Sequence, residues 1–298
     1  MKKPQLINKG DLISILAPAK SIEKSIVDHA RDFLIQRGFR VVVSAHCTGN
    51  HNYYSGTDEQ RKSDFQSAID DSEVRVILCA RGGYGSVRVF DQLDWTKFRE
   101  RPKWIIGFSD ITVFHHILQS MEVQSIHGTM PLNFKSNTKE AIETMLMAAS
   151  GEPFKIQVDS FEKNKEGSAK GILIGGNLSI IYSLLGGKYA FDFQKKILFI
   201  EDLSEQHYHI DRMLYALKFH GVFDQISGLI VGGMTDMKDT EVPFGKDFYD
   251  LVLEHLEGKE IPVCFNFPCG HIDDNRAMIV GAHVFYQVSG LRVDLSYV

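Results

Sequence analysis

Trp104-Ile105-Ile106-Gly107-Phe108-Ser109-Asp110-Ile111-Thr112 is the stretch that decides the fold. An uncharged run ends abruptly at a serine and an aspartate, and a helical pattern follows to about Met121. Such a run predicts a buried strand, and the polar pair marks where the helix begins. The same unit recurs upstream. Leu12-Ile13-Ser14-Ile15-Leu16 predicts a strand that stops before Pro18, Ser25 to Gly38 a helix ending on glycine, and Arg40-Val41-Val42-Val43 a β-branched strand. Thr57-Asp58-Glu59-Gln60 has the capping-box pattern and opens a helix to about Ile69. Val74 to Leu78 is the next strand, followed by the turn Gly82-Gly83-Tyr84-Gly85. Short strands alternating with helices predict an α/β fold with a parallel, doubly wound sheet covered on both faces.

Beyond about Ser150 the pattern changes. Residues 1–150 are expected to form an N-terminal domain, 151–170 a linker region and 171–298 a C-terminal domain. The stretch from Ser160 to Lys170 is polar and charged, which suits a linker or loop. Strands are expected at Gly171 to Ile174, Ile197 to Ile200, Leu229 to Val231 and Val263 to Phe267. Ile210, Met213, Leu214 and Leu217 fall on one helical face, and a second helix is expected from Phe248 to Leu256. Met278 to Leu295 reads as two strands joined at Ser289-Gly290. No internal repeat or low-complexity tract is present.

The composition narrows the function classes. The 298 residues are 44% hydrophobic and 24% charged, with a formal net charge of -5. Lys and Arg are scattered rather than gathered in a stripe, which argues against a nucleic-acid partner. No apolar run is long enough to span a bilayer, and the apolar stretch around Leu12 to Ala17 is too short for a signal peptide. The expected location is therefore the cytoplasm, without membrane association. Cys47, Cys79, Cys264 and Cys269 then have no reason to form disulfides. Cys264 and Cys269 do not have zinc-knuckle spacing, and no metal is expected.

In open α/β sheets, ligands bind beyond the carboxyl ends of the strands. Four polar positions lie there. Ser109 sits on the strand-to-helix turn, where a hydroxyl projects outward beside N–H groups at a helix start. It departs from G-x-S-x-G, having Ile111 at the last glycine. Ser109 is either a nucleophile or simply the helix N-cap. Arg81-Gly82-Gly83-Tyr84-Gly85 follows the strand ending at Leu78. It is neither a dinucleotide fingerprint, because Arg88 replaces the third glycine, nor a P-loop. Either it supplies an oxyanion-hole N–H or it is an ordinary tight loop. Glu201-Asp202 follows Ile197 to Ile200 and could orient a histidine, cap a helix or face solvent. His271, after Pro268-Cys269-Gly270, is a general-base candidate.

Serine, acid and histidine in that chain order match one known triad arrangement. His271 would take the Ser109 proton, Glu201 would hold the imidazole, and N–H groups near Gly83 and Asp110 would hold the oxyanion. One such donor contributes about 3 kcal/mol in comparable hydrolases. His115 and His116 lie within the helix after Ser109 and read as structural. His207 and His209 form an H-x-H pair without an evident third metal ligand. Cys79 ends a strand and reads as a buried thiol rather than a nucleophile.

Taken together, these residues resemble the LD-carboxypeptidases of serine peptidase family S66. The resemblance rests on Ile15-Leu16-Ala17-Pro18-Ala19, Ala80 to Gly85, Gly107 to Thr112, Gly175-Gly176-Asn177-Leu178, Leu198 to Asp202 and Pro268 to His271, and covers nearly the whole chain. It implies a flavodoxin-like N-terminal domain carrying the nucleophile Ser109. A smaller β-rich α/β domain would carry Glu201 and His271, with the active site between the domains. Gly83 and Asp110 match the oxyanion-hole positions. Phe108 stands where the family usually has tyrosine. The implied reaction removes terminal D-alanine from murein tetrapeptide in cell-wall recycling, at a bond following an L-centre of diaminopimelate or lysine. A sister group hydrolyses microcin C-type peptidyl nucleotides and confers self-immunity; the length of this chain fits the murein type better. No cofactor or metal is implied, and a homodimer is. Arg81 is a candidate for the substrate's terminal carboxylate, or else a member of a structural ion pair. Two other readings remain: a non-catalytic α/β protein holding a small anionic ligand at the Ser109 turn, and a Cys79-dependent amidotransferase-like enzyme.

Overall fold

The computed structural model describes all 298 residues. In chain order the first five strands are β1 (Leu12–Leu16), β2 (Arg40–Val43), β3 (Val74–Cys79), β4 (Trp104–Ile106) and β5 (Ser125–His127). The next five are β6 (Lys155–Asp159), β7 (Gly167–Asn177), β8 (Lys196–Leu203), β9 (Gly228–Thr235) and β10 (Val263–Cys264). β11 (Met278–Val280), β12 (His283–Val288) and β13 (Arg292–Tyr297) complete the chain. They form one six-stranded and one seven-stranded sheet. The chain divides into two units, Met1–Pro153 with Asp273–Ile279, and Phe154–Ile272 with Val280–Val298.

The first unit is the doubly wound α/β fold that the apolar runs predict. Its strand order is β2-β1-β3-β4-β5, with β11 beyond β5. The pairs β1–β2, β1–β3, β3–β4 and β4–β5 are parallel, which is the flavodoxin-like order. Every residue of β1 and β4 is buried, explaining why these strands carry no charge. The helix Asp58–Asp70 starts at the expected capping box: Gln60 N donates to Thr57 Oγ1 at 3.2 Å and Thr57 N to Gln60 Oε1 at 2.9 Å. From this helix Phe65 stacks on Phe114 of the helix Thr112–Ser120, with centroids 4.4 Å apart.

The second unit is a mixed sheet in the order β10-β9-β8-β7-β12-β13-β6. β7 to β10 are parallel, and β12, β13 and β6 add antiparallel strands. The helix His207–Phe219 buries Ile210, Met213, Leu214 and Leu217, the face its 3.6-residue period marks.

Four expectations are corrected. The region 151–170 is not a plain linker. It contains β6, paired with β13, and the first residues of β7, which begins at Gly167 rather than Gly171. Lys155-Ile156-Gln157-Val158-Asp159 alternates polar and apolar residues, the pattern of a half-buried strand, and only Ile156 is fully buried. The region 171–298 does not form one body: Asp273–Ile279 returns to the first unit. There Thr138 N donates to Asp273 O at 2.9 Å and Ala277 N to Thr144 Oγ1 at 3.0 Å. The C-terminal segment accordingly forms three strands, β11 to β13, of which β11 joins the first sheet. Finally, the strand expected from Val263 to Phe267 stops at Cys264, because Asn266 turns with φ 57.

Candidate active site

β4 ends at Ile106, and Ser109 follows with φ 64, in the left-handed region. A non-glycine residue held there costs about 1–3 kcal/mol, so its surroundings must impose it. One 3₁₀ turn, Ser109–Ile111, leads into the helix Thr112–Ser120. The cap positions of these two elements are Phe108 and Ile111, so Ser109 is not the helix N-cap. The base of the turn is pinned by buried His115. Its Nε2–H donates to Gly107 O at 3.0 Å, and its Nδ1 accepts from Ser125 Oγ at 2.8 Å. Burial pulls this imidazole down to about 4, so it stays neutral and structural, as its place in the helix suggests.

The glycine loop packs directly on the turn. A Cβ on Gly82 would lie 3.0 Å from Ser109 Cβ and 3.2 Å from both Ser109 Oγ and Asp110 N. Only glycine lets the two backbones approach this closely. Asp110 ties the segments together from beneath, its Oδ2 accepting from Ser86 N at 2.8 Å. Burial raises the Asp110 pKa, opposed by that N–H bond.

Arg61, fully buried, holds the loop from the other side. Its Nη1 donates to Pro18 O at 2.5 Å and Gly85 O at 3.0 Å, its Nε to Gly56 O at 3.2 Å, and it pairs with Asp58. The guanidinium also lies over the Tyr54 ring at 4.5 Å.

In the second unit Glu201 and Asp202 stand within β8, which runs on to Leu203 rather than ending at Ile200 as expected, and His271 follows the short loop after β10. His271 Nδ1 lies 2.6 Å from Glu201 Oε2, and His271 N donates to the same oxygen at 3.3 Å. A carboxylate accepting at Nδ1 keeps the proton there and leaves Nε2 as the basic nitrogen. Gly270 makes this contact possible: its φ is 97, and a Cβ there would sit 2.6 Å from Glu201 Cβ, Cγ and Oε2. Gly233 N donates to Cys269 O at 2.8 Å and Thr235 Oγ1 to His271 O at 2.7 Å, fixing the loop to β9. Burial by itself lowers the His271 pKa, but the charge and hydrogen bond of Glu201, with a smaller push from Asp202, raise it above the usual 6.5.

The two constellations fall in segments with recognisable relatives. Residues 13–128 match the LD-carboxypeptidase N-terminal domain, and residues 170–285 match the LD-carboxypeptidase C-terminal domain, of peptidase family S66. The chain belongs to the LD-carboxypeptidase family. It is 30% identical to the probable murein peptide carboxypeptidase of Bacillus subtilis strain 168, over 94% of this chain and 90% of that protein. It is 26% identical to the Microcin C7 self-immunity protein MccF of Escherichia coli, over 88% of this chain and 86% of that protein. The crystal structure of muramoyltetrapeptide carboxypeptidase from Oxalobacter formigenes superposes with a TM-score of 0.87 at 25% identity, covering 96% of this chain and 98% of that one.

Within this LD-carboxypeptidase-family fold, Ser109, Asp110 and the glycine loop cluster in the first unit, and Glu201 and His271 cluster in the second. Arg81 donates from Nη1 to Ser21 O at 3.0 Å and makes no ion pair, so the structural-ion-pair reading does not hold. Burial lowers its pKa. Cys79 is fully buried, and burial pushes its thiol far above the usual range, which removes the Cys79 nucleophile. His209 is bonded to Glu205, four residues earlier. One supporting residue, Arg61, was not foreseen, and Asp202, named beside Glu201 in the sequence, has a structural role. Arg61 shares the buried face of its helix with Phe65, Ala68 and Ile69, and an arginine at an apolar position was the available signal. Asp202 accepts from Asn177 Nδ2, Ser179 N and Leu203 N, each at 2.9 Å, and so ties the Gly175-Gly176-Asn177-Leu178 motif to β8. Burial, with the neighbouring Glu201 charge, pushes Asp202 up to about 7.

Proposed function

We propose that this protein is a serine carboxypeptidase acting on murein tetrapeptide, cleaving the amide between diaminopimelate or lysine and the terminal D-alanine. The observation that carries the reading is the 2.6 Å bond between His271 Nδ1 and the fully buried Glu201. An imidazole so oriented, with Nε2 left basic, is the general base a serine nucleophile needs. The substrate class comes from the Bacillus subtilis and Oxalobacter formigenes relatives.

In this mechanism His271 Nε2 takes the Ser109 proton as Oγ attacks the carbonyl carbon. The backbone N–H groups of Gly83 and Asp110 receive the developing oxyanion, where one donor contributes about 3 kcal/mol. His271 passes the proton to the departing D-alanine amine, and the acyl-enzyme is hydrolysed by water that His271 activates in turn. Glu201 stabilises the imidazolium in both halves. Arg81, a part-buried cation with no carboxylate of its own, pairs with the substrate's free carboxylate. The same reading places the enzyme in the cytoplasm as a homodimer.

The test is D-alanine release from purified murein tetrapeptide. Wild type is expected to release it, and Ser109→Ala to lose about 10⁴-fold or more in rate while remaining folded. Full activity in Ser109→Ala would overturn the mechanism. An inactive wild type that hydrolyses a microcin C-type peptidyl nucleotide would move the substrate to the class of the microcin self-immunity relative.

A further inference from the structure

The carboxyl ends of the first sheet carry Ser109; the amino ends carry something else. A cavity of about 870 Å³ opens where β3 and β4 begin, lined by side chains of the N-terminal segment, by some of those between Ile69 and Arg75 and by some of those between Lys97 and Lys103. Its walls hold six cations, Lys2, Lys3, Arg75, Lys97, Arg101 and Lys103, against only Asp70 and Glu100. The chain as a whole is net -5, so this concentration of positive charge runs against the global balance. Of the six, only Lys97 meets a carboxylate, at 3.6 Å from Asp70.

The pocket is built rather than accidental. Lys103 is 95% buried in its wall, donating to Ala68 O at 2.6 Å and to Asp71 O. Burial brings its pKa down to about 8, which leaves it charged at neutral pH. Arg75 donates from Nη1 to Ser72 O at 2.7 Å, while its buried Nε has no partner. Pro4, Ile69 and Pro102 give the same cavity an apolar part. Several unneutralised cations in a concave site repel one another, and a multiply charged anion offsets that cost through charge-assisted hydrogen bonds.

We propose that this pocket binds a small molecule bearing a di- or triphosphate group, at a site separate from Ser109. The guanidinium groups of Arg75 and Arg101 take phosphate oxygens, the lysines supply the surrounding field, and the apolar wall accepts any ring the ligand carries.

Calorimetric titration of the full chain with inorganic pyrophosphate, and separately with ATP, tests this at low salt. Saturable binding is expected for at least one probe, weakened about tenfold or more in the Arg75→Ala/Arg101→Ala double variant and unchanged in Ser109→Ala. Tighter binding of ATP means the apolar wall reads the nucleoside; equal affinities mean the phosphates alone are read. Lys97→Ala/Arg101→Ala, on exposed side chains, is the second variant should the first unfold. No saturable binding of either probe would overturn the proposal. So would binding that the folded double variant retains in full, or that Ser109→Ala loses.

Discussion

Around Ser109 the chain positions its groups with main-chain geometry. The serine is at φ 64, the turn packs so near Gly82 that a Cβ there would lie 3.0 Å from Ser109 Cβ, and the carbonyls of Pro18, Gly85 and Gly107 are gripped by Arg61 and His115. Around His271 the work is done by charge: a carboxylate with no exposure sits 2.6 Å from an imidazole whose pKa it raises against the pull of burial. The first region is vulnerable to an added methyl group, the second to a lost charge. Both depend on a glycine that lets a functional side chain come close, Gly82 beside Ser109 and Gly270 beside Glu201.

The largest expected effect tests the electrostatic region. Glu201→Gln keeps the shape and removes the charge, so kcat/KM for D-alanine release should fall about 10³–10⁴-fold, with the fold retained. The proposed mechanism needs neutral His271, and under it the wild-type acidic limb should lie above pH 6.5, activity rising as the imidazole loses its proton. In Glu201→Gln burial remains while the opposing charge is gone, so the limb should move to lower pH. A pH profile of kcat/KM checks both, and a limb that stays in place would mean that charge is not what sets the His271 pKa.

A smaller effect separates the two glycines. Gly82→Ala puts a Cβ against Ser109 and Asp110 N, and if Ser109 is the nucleophile as proposed, a displacement of this kind should cost about 10²-fold in kcat. Its pH profile should keep the wild-type limb. Gly270→Ala combines a φ of 97 with a Cβ 2.6 Å from Glu201, so it should lose about 2–3 kcal/mol of stability and shift the limb as well. Thermal melts read beside the profiles distinguish them; if both variants shift the limb, the regions are not governed by different physics.

The smallest effect concerns binding. Arg81→Lys keeps a cation but loses the planar fork, so KM should rise about tenfold for the free acid and little for its amide, with kcat nearly unchanged. Equal changes on both substrates would detach Arg81 from carboxylate recognition.

Local patterns made most of the first unit legible. β1 to β4 and the capping box at Thr57 are each specified by residues close together in sequence, as is, in the second unit, the buried face of the helix His207–Phe219. The charged surroundings of β6 hid its alternation, and nothing local distinguishes β11 from its C-terminal neighbours. Ser109 could be placed on its turn, but nucleophile and N-cap could not be separated, because φ at a single residue is set by the packing around it. The position of Arg61 on an apolar helix face is readable, but its role is not, because its three carbonyl acceptors come from separate loops.

By itself, then, the sequence determined the strand-helix alternation, the helix start at the Thr57 capping box and the place of Ser109 on the turn after β4, since these depend on neighbours within one or two turns of chain. Tertiary structure alone decided that His271 meets Glu201 across 70 residues, that Gly82 touches Ser109, and that scattered lysines and arginines converge on one pocket. Contacts made after long loops close are selected by the packing of the whole unit, and no local propensity encodes which distant partner arrives.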